Sequence, residues 1–262
     1  MLLAIDIGNT NITLGVFQGD TLTATWRVAT DPRRLSDEYG HILHGILPLR
    51  GITPDDITEV AICSVVPPLT STFEEMSKTI FKAIPLVVTV GIKTGVRILY
   101  ENPRDVGADR VVDAVAAYNL YGGPLIVVDF GTATVFDAIA QNGDYLGGAI
   151  SPGLGVAAEA LFLNTSQLRR VELVAPKKSI GRNTVASLQS GLVYGYVGLV
   201  ENMIARFRKE LGDDARVVAT GGQAVLMAKE TKMFDYVNPD LTLIGLRLIH
   251  ELNQQDKETL DA

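Results

Sequence analysis

The chain has 262 residues, of which 47% are hydrophobic and 20% charged, values of a soluble globular protein made of one large domain or two of about 130 residues each. A chain of this size buries a core without disulfides or structural metal, and its single cysteine excludes an intrachain disulfide. A formal net charge of −7 argues against nucleic-acid and anionic-membrane partners.

Leu2-Leu3-Ala4-Ile5 is a short apolar run that stops at Asp6, with no basic region before it. It reads as a strand, not a secretory signal. No apolar run reaches the length of a membrane span, so the expected location is the cytoplasm. The turn Gly8-Asn9-Thr10-Asn11 follows, and Ile12, Leu14 and Val16 then alternate with smaller or polar residues, the period of a half-buried strand. After Gly19-Asp20, residues 22 to 28 alternate again as a third strand. Ser36, with Asp37 and Glu38 behind it, starts a helix whose dipole favours those acids. Residues 60 to 66 form a buried strand closed by Pro67-Pro68, and Cys63 within it reads as a small buried hydrophobe. A helix over 69 to 82, a strand over 86 to 90 and a helix opening near Gly107 complete the first half. The basic pairs Arg33-Arg34, Arg169-Arg170 and Lys177-Lys178 lack aromatic neighbours for base stacking and read as solvated surface.

Leu125-Ile126-Val127-Val128-Asp129-Phe130-Gly131-Thr132-Ala133-Thr134 then echoes residues 2 to 11. Both copies run four apolar residues, Asp, an apolar residue, Gly, and a turn with Thr. Each continues into an alternating strand, 12 to 17 and 135 to 140, and each strand ends on a Gly-Asp turn, at Gly19-Asp20 and Gly143-Asp144. A repeat this long implies two related halves. A strand at 145 to 150, a helix from about Gly155, a long helix over 184 to 211 and a strand at 216 to 219 follow. Thr220-Gly221-Gly222 opens another helix. The boundary between halves, 1–122 and 123–262, is expected near Tyr121-Gly122-Gly123-Pro124, and the polar tail after Asn253 is expected to fray.

The strand-Asp-x-Gly-x-Thr-strand unit suits phosphate chemistry. A tight glycine turn gathers backbone N–H groups into an anion-binding concavity, and an Asp at the strand end can hold Mg²⁺, usually through water. One copy alone is an ordinary Asx-turn hairpin. Two copies supply two carboxylates and two Gly-Thr turns around one nucleotide. Nearly the whole chain resembles the actin, sugar-kinase and 70-kDa heat-shock ATPase superfamily. The resemblance implies an α/β fold of duplicated ribonuclease H-like halves with the nucleotide in the cleft between them, and Thr220-Gly221-Gly222 resembles its adenosine motif.

A closer resemblance lies in Asp6-Ile7-Gly8-Asn9-Thr10-Asn11, Gly107-Ala108-Asp109-Arg110 and Asp129-Phe130-Gly131-Thr132-Ala133-Thr134, with Gly147 to Gly153 and Gly181-Arg182-Asn183-Thr184. In order and spacing these are similar to the type III pantothenate kinases. The resemblance implies ATP-dependent phosphorylation of pantothenate, the first step of coenzyme A synthesis. It implies ATP contacts from Asp6, Ile7, Gly8, Asn9, Thr10, Asn11, Ile12, Thr13 and Thr132. It makes Asp109 the general base, and Tyr100, Gly107, Ala108, Asp109, Arg110 and Thr184 the pantothenate contacts. It further implies a monovalent cation, K⁺ or NH₄⁺, on Asp129, Mg²⁺ with ATP, and a homodimer with the substrate pocket near the subunit interface.

Read from the residues alone, Asp109 is an acid at a helix start, where the dipole favours its ionised form and from where it can accept a proton from an alcohol. Asp113, one turn on, is expected to pair with Arg110 or to hold the site in place. Two other functions compete: a transcription accessory factor, which the acidic balance opposes, and a kinase or phosphatase of the same superfamily acting on a sugar or polyphosphate. Gly153-Leu154-Gly155 mimics a dinucleotide fingerprint, with Glu172 near the ribose position, but Pro152 and the lack of a following parallel strand count against it. There is no P-loop. His41 and His44 share a helix face without a third ligand for zinc, and His250 reads as structural. Ser187, Gly191 and Gly195 form a stripe on the long helix, suited to close packing of another helix, within the chain or across a dimer.

Overall fold

The computed structural model describes residues 1–260, with side chains described through residue 255. The first pass of the chain runs β1 (Leu2–Ile7), β2 (Asn11–Gln18), β3 (Thr21–Ala29), α1 (Ser36–Ile46), β4 (Glu59–Ser64), α2 (Pro67–Ile80), β5 (Leu86–Val87) and α3 (Ala108–Tyr121). The second runs β6 (Leu125–Phe130), β7 (Ala133–Ile139), β8 (Tyr145–Pro152), α4 (Leu154–Leu163), α5 (Thr184–Leu211), β9 (Arg216–Thr220), α6 (Ala224–Met227), β10 (Tyr236–Val237) and α7 (Leu241–Leu260).

Among the described residues the strands form two five-stranded sheets, ordered β3-β2-β1-β4-β5 and β10-β9-β6-β7-β8. Read from opposite ends, the two orders are the same. β1 pairs antiparallel with β2 and parallel with β4, and β6 pairs antiparallel with β7 and parallel with β9. Each second strand carries a register shift near its end, at Val16/Phe17 and at Ala138/Ile139. A bulge recurring at the same place is a built feature of a hairpin. The duplicated ribonuclease H-like topology expected from the sequence is therefore present, with helices following the three-stranded meander in each copy.

By contact the chain packs as two compact units that interleave along the sequence. One comprises Met1–Val96, Asn102–Ala116 and the chain from Thr242 on, and the other Arg97–Glu101 and Ala117–Leu241. In the first unit both sheet faces are covered, which is why β1 reads as an unbroken apolar run. Leu3, Ile5 and Ile7 face α1 and α2 with Tyr39, Leu43, Leu69 and Phe73. Leu2 and Ala4 face Val112 and Val115 of α3 and Leu243, Leu246 and Ile249 of α7. In the second unit Ile126, Val128 and Phe130 pack with Leu154 of α4, Leu192, Val200 and Ile204 of α5, and Ala224 and Met227 of α6.

Four readings change. The strand expected over 86 to 90 is only two residues long. α2 begins at Pro67, two residues early, because proline suits the first helical turn. The helix after Gly222 is a four-residue turn. α7 went unread, and the tail expected to fray after Asn253 is helical to Leu260; its last two residues lie outside the described residues.

Candidate active site

The first phosphate-turn candidate lies where β1 hands over to β2. Asp6 and Ile7 end β1, Gly8, Asn9 and Thr10 turn, and Asn11, Ile12 and Thr13 begin β2. The turn is pinned from three directions. Gly8 N donates to Asn11 O at 3.1 Å, Thr30 N donates to Thr10 O at 3.1 Å, and Thr30 Oγ1 donates to Gly8 O at 2.7 Å. Asn9, Thr10 and Asn11 are exposed, whereas Ile7 and Ile12 are wholly buried. Those two isoleucines therefore offer a ligand their main chain only.

Asp6 sits opposite Cys63 in the parallel register of β1 and β4. Burial pushes the Cys63 thiol well above its usual range, and the charges of Asp6, Asp109 and Asp113 push it further. The thiol is therefore left protonated and inert. Asp109 occupies the first turn of α3, as expected. Its Oδ1 accepts from Arg110 N at 2.8 Å. Burial raises its pKa above the ordinary carboxylate value, against the opposing pull of the Arg110 N–H and guanidinium. Gly107 lies so close that a Cβ there would overlap Asp109 Oδ1. Asp113 is buried, and its Oδ1 accepts from Thr242 Oγ1 of α7 at 2.7 Å. Thr242 escaped the sequence reading because its partner lies far upstream in the chain. Asp113 thus has a tie that holds the start of α3 in place.

The second unit carries the second turn. Asp129, half-buried at the end of β6, is paired in register with Thr220 of β9. Gly221 follows with φ +87°, and a Cβ there would overlap the Asp129 carboxylate. Only glycine lets that strand-end turn close over the acid. Thr132 is exposed in the β6–β7 turn, and its carbonyl accepts from Gly153 N at 3.0 Å. Gly153 is the residue before α4, so the segment that mimics a dinucleotide fingerprint braces this turn. β8 before it is an edge strand antiparallel to β7, which excludes a Rossmann unit.

Of the remaining expected residues, Tyr100 is 36% exposed and its ring lies 6.5 Å from that of Tyr145 in the second unit. Thr184 is exposed at the first position of α5, where Asn183 caps the helix by accepting from Ala186 N at 2.9 Å. The structure thus groups Asp6 to Thr13 with Gly107 to Arg110 in the first unit, and Tyr100, Asp129, Thr132 and Thr184 in the second. Among the described residues no group of three or more His, Cys, Asp or Glu is placed to hold a metal ion. Arg170 is engaged by Glu159 and Arg33 by Asp31, in keeping with a surface role for those basic pairs. No helix among the described residues is long and apolar enough to cross a membrane.

Paired Asp-Gly-Thr turns on duplicated ribonuclease H-like units, with a base-like Asp at a helix start, define a phosphotransferase of the actin-like ATPase fold. Solved structures carry that fold. One from Campylobacter jejuni, described as a Baf family transcriptional activator, superposes with a TM-score of 0.61 at 19% identity, covering 97% of this chain and 99% of that one. One from Sinorhizobium meliloti, described as a 2-dehydro-3-deoxygalactonokinase protein, gives 0.59 at 14% identity and 96% coverage of each. Residues 2–206 match the family model of type III pantothenate kinases. A relative named type III pantothenate kinase, from Dehalococcoides mccartyi, is 52% identical over 97% of this chain and 98% of its own length. The chain belongs to the type III pantothenate kinase family, whose members transfer a phosphoryl group to the alcohol of pantothenate on the route to coenzyme A.

Proposed function

We propose that this chain phosphorylates pantothenate from ATP with Asp109 as the general base. The observation that carries the assignment is the setting of Asp109: a carboxylate at a helix start, made more basic by burial, with Gly107 against it and Arg110 behind it. The base accepts the alcohol proton as the oxygen attacks the terminal phosphorus and ADP leaves. Little covalent help is needed in such transfers, and positioning and charge compensation do most of the work. Asn9 to Asn11 and Thr132 offer exposed backbone and hydroxyl donors to the phosphates. Asp6, near the end of β1 beside the first turn, is the carboxylate proposed to hold, through water, the Mg²⁺ that accompanies ATP. Tyr100, Gly107 to Arg110 and Thr184 contact pantothenate.

Asp129 is the proposed holder of K⁺ or NH₄⁺. One carboxylate closed in by Gly221, with Ala133 O beside it across Gly131, offers hard, weakly charged oxygen donors of the kind such an ion takes. When bound, the cation supplies positive charge beside the nucleotide. The enzyme works as a cytoplasmic homodimer.

A substrate panel tests the reading. With ATP, Mg²⁺ and K⁺, ADP release is expected with pantothenate and not with sugars or polyphosphate. Replacing K⁺ with Na⁺ is expected to lower the rate, and Asp129→Ala to erase that response. A rate independent of pantothenate would return the field to the other kinases of the fold, and equal rates in the two salts would remove the cation from Asp129.

A further inference from the structure

Residues 97 to 101 are a five-residue excursion. The chain before and after them packs in the first unit, but they pack in the second. What holds them there is specific. Tyr145 N donates to Arg97 O at 2.9 Å and Leu99 N donates to Tyr145 O at 2.8 Å, so Ile98 makes a parallel bridge to Tyr145 at the start of β8. The excursion is a rudimentary extra strand on the sheet edge. Arg97 anchors it by a side chain as well, donating to Asp144 Oδ2 at 2.8 Å, and this pair holds the Asp144 carboxyl below its ordinary value. Tyr100, the residue this segment carries, lies over Gly147, where any Cβ would stand 3.4 Å from the ring. Gly147 has φ +129°, a conformation open to glycine and strained for other residues.

Beneath this lies a polar pair that β7 has no packing reason to contain. Asp137 interrupts the apolar run Val135 to Ala140 and is only 3% exposed. Tyr145, wholly buried, donates its O–H to Asp137 Oδ1 at 2.7 Å. A buried carboxylate is costly unless its geometry is used. Here it fixes the Tyr145 ring, whose backbone carries the bridge and whose ring faces Tyr100. We propose that Arg97, Asp137 and Tyr145 are positioning residues for substrate recognition, holding the 97–101 segment on β8 so that Tyr100 is presented in one fixed orientation to pantothenate. The proposal rests on Tyr100 being a pantothenate contact.

The test measures KM for pantothenate, KM for ATP, kcat and melting temperature in Arg97→Met, Tyr145→Phe, Asp137→Asn and Tyr100→Ala. The Arg97 side chain is 71% exposed, so Arg97→Met leaves packing intact and decides the matter even if a core variant fails to fold. Arg97→Met and Tyr145→Phe are each expected to raise KM for pantothenate about 3- to 10-fold, the scale of one lost hydrogen bond, with KM for ATP within about twofold of the parent. Asp137→Asn keeps an acceptor for Tyr145 and is expected to retain most of the affinity. In a Tyr100→Ala background, neither Arg97→Met nor Tyr145→Phe is expected to add a further loss, the non-additivity of residues acting through one contact. If Tyr100→Ala leaves KM for pantothenate unchanged, the contact itself is wrong and the proposal goes with it. If Tyr100→Ala raises it while Arg97→Met and Tyr145→Phe do not, or raise both KM values alike, Tyr100 stands and the positioning role is overturned.

Discussion

At the residue scale the decisive group is Asp109, and its environment makes two linked predictions. Asp109→Asn is expected to keep the fold and to lower kcat about 10²- to 10⁴-fold, the usual worth of a positioned base. Steady-state kinetics on the purified variant check this, and a near-normal kcat would remove the assignment. The raised pKa also fixes a stability trend. The folded state holds the Asp109 proton more tightly than the unfolded chain, so this group contributes stability at acid pH that is lost as pH rises from the ordinary carboxylate value through the raised one. Melting temperatures across that window are therefore expected to fall less steeply with pH in Asp109→Asn than in the parent. Parallel curves would show that burial does not act on this carboxylate. Asp109 was legible in the sequence because helix-start chemistry is local: an acid two residues after Gly107, ahead of an apolar periodic run. That Asp6, Asp109 and Asp113 all act on the Cys63 thiol was not legible, because it depends on the register of β1 against β4 and on where α3 lands.

At the element scale the meander copies were legible for the same local reason. Period-2 alternation and Gly-Asp turns are set by neighbours in sequence, and both hairpins fall where the alternation places them. α7 is the counter-case. Its apolar spacing at Leu243, Leu246 and Ile249 is helical, but Gly245 lies in its interior, where glycine costs about 1 kcal/mol against alanine. The structure gives that glycine a use. A Cβ on Gly245 would overlap the backbone carbonyl of Val112 in α3 and approach its side chain. Two effects then oppose each other in Gly245→Ala: about 1 kcal/mol of helix propensity in its favour and about 1–3 kcal/mol of overpacking against a backbone that cannot rotate away. The overpacking is expected to win, lowering the urea midpoint. Because Thr242 holds Asp113 one turn earlier on α7, kcat should fall too. A stabilised variant would mean that α7 and α3 do not approach this closely.

At the scale of the whole molecule, repeat and packing unit do not coincide. Topology repeats at β6, near the Gly-Gly-Pro signal that the sequence offers, while α7 packs with the first pass and residues 97–101 with the second. No local signal carries that exchange, since it is made by contacts between distant residues: Arg97 and Asp144 are 47 apart in the chain, and Asp113 and Thr242 are 129 apart. Assembly is the last level, and α5 bears on it. Gly191 and Gly195 are exposed, and a Cβ at either meets nothing within 4 Å, whereas Ser187 of the same stripe lies against Gly181. The two glycines therefore serve no close packing inside the chain, and at them the dimer reading is the one to test. Leucine at 191 has room in a single chain, so Gly191→Leu should fold. In a symmetric dimer joined along this face the same substitution acts from both sides and forces the helices apart at about 1–3 kcal/mol per site. Thr184 begins the same helix, about two turns before Gly191. The expected product is a folded monomer by light scattering, with a raised KM for pantothenate and a smaller change in KM for ATP. A dimer of undiminished affinity with the parent's pantothenate kinetics would place the subunit contact elsewhere on the surface.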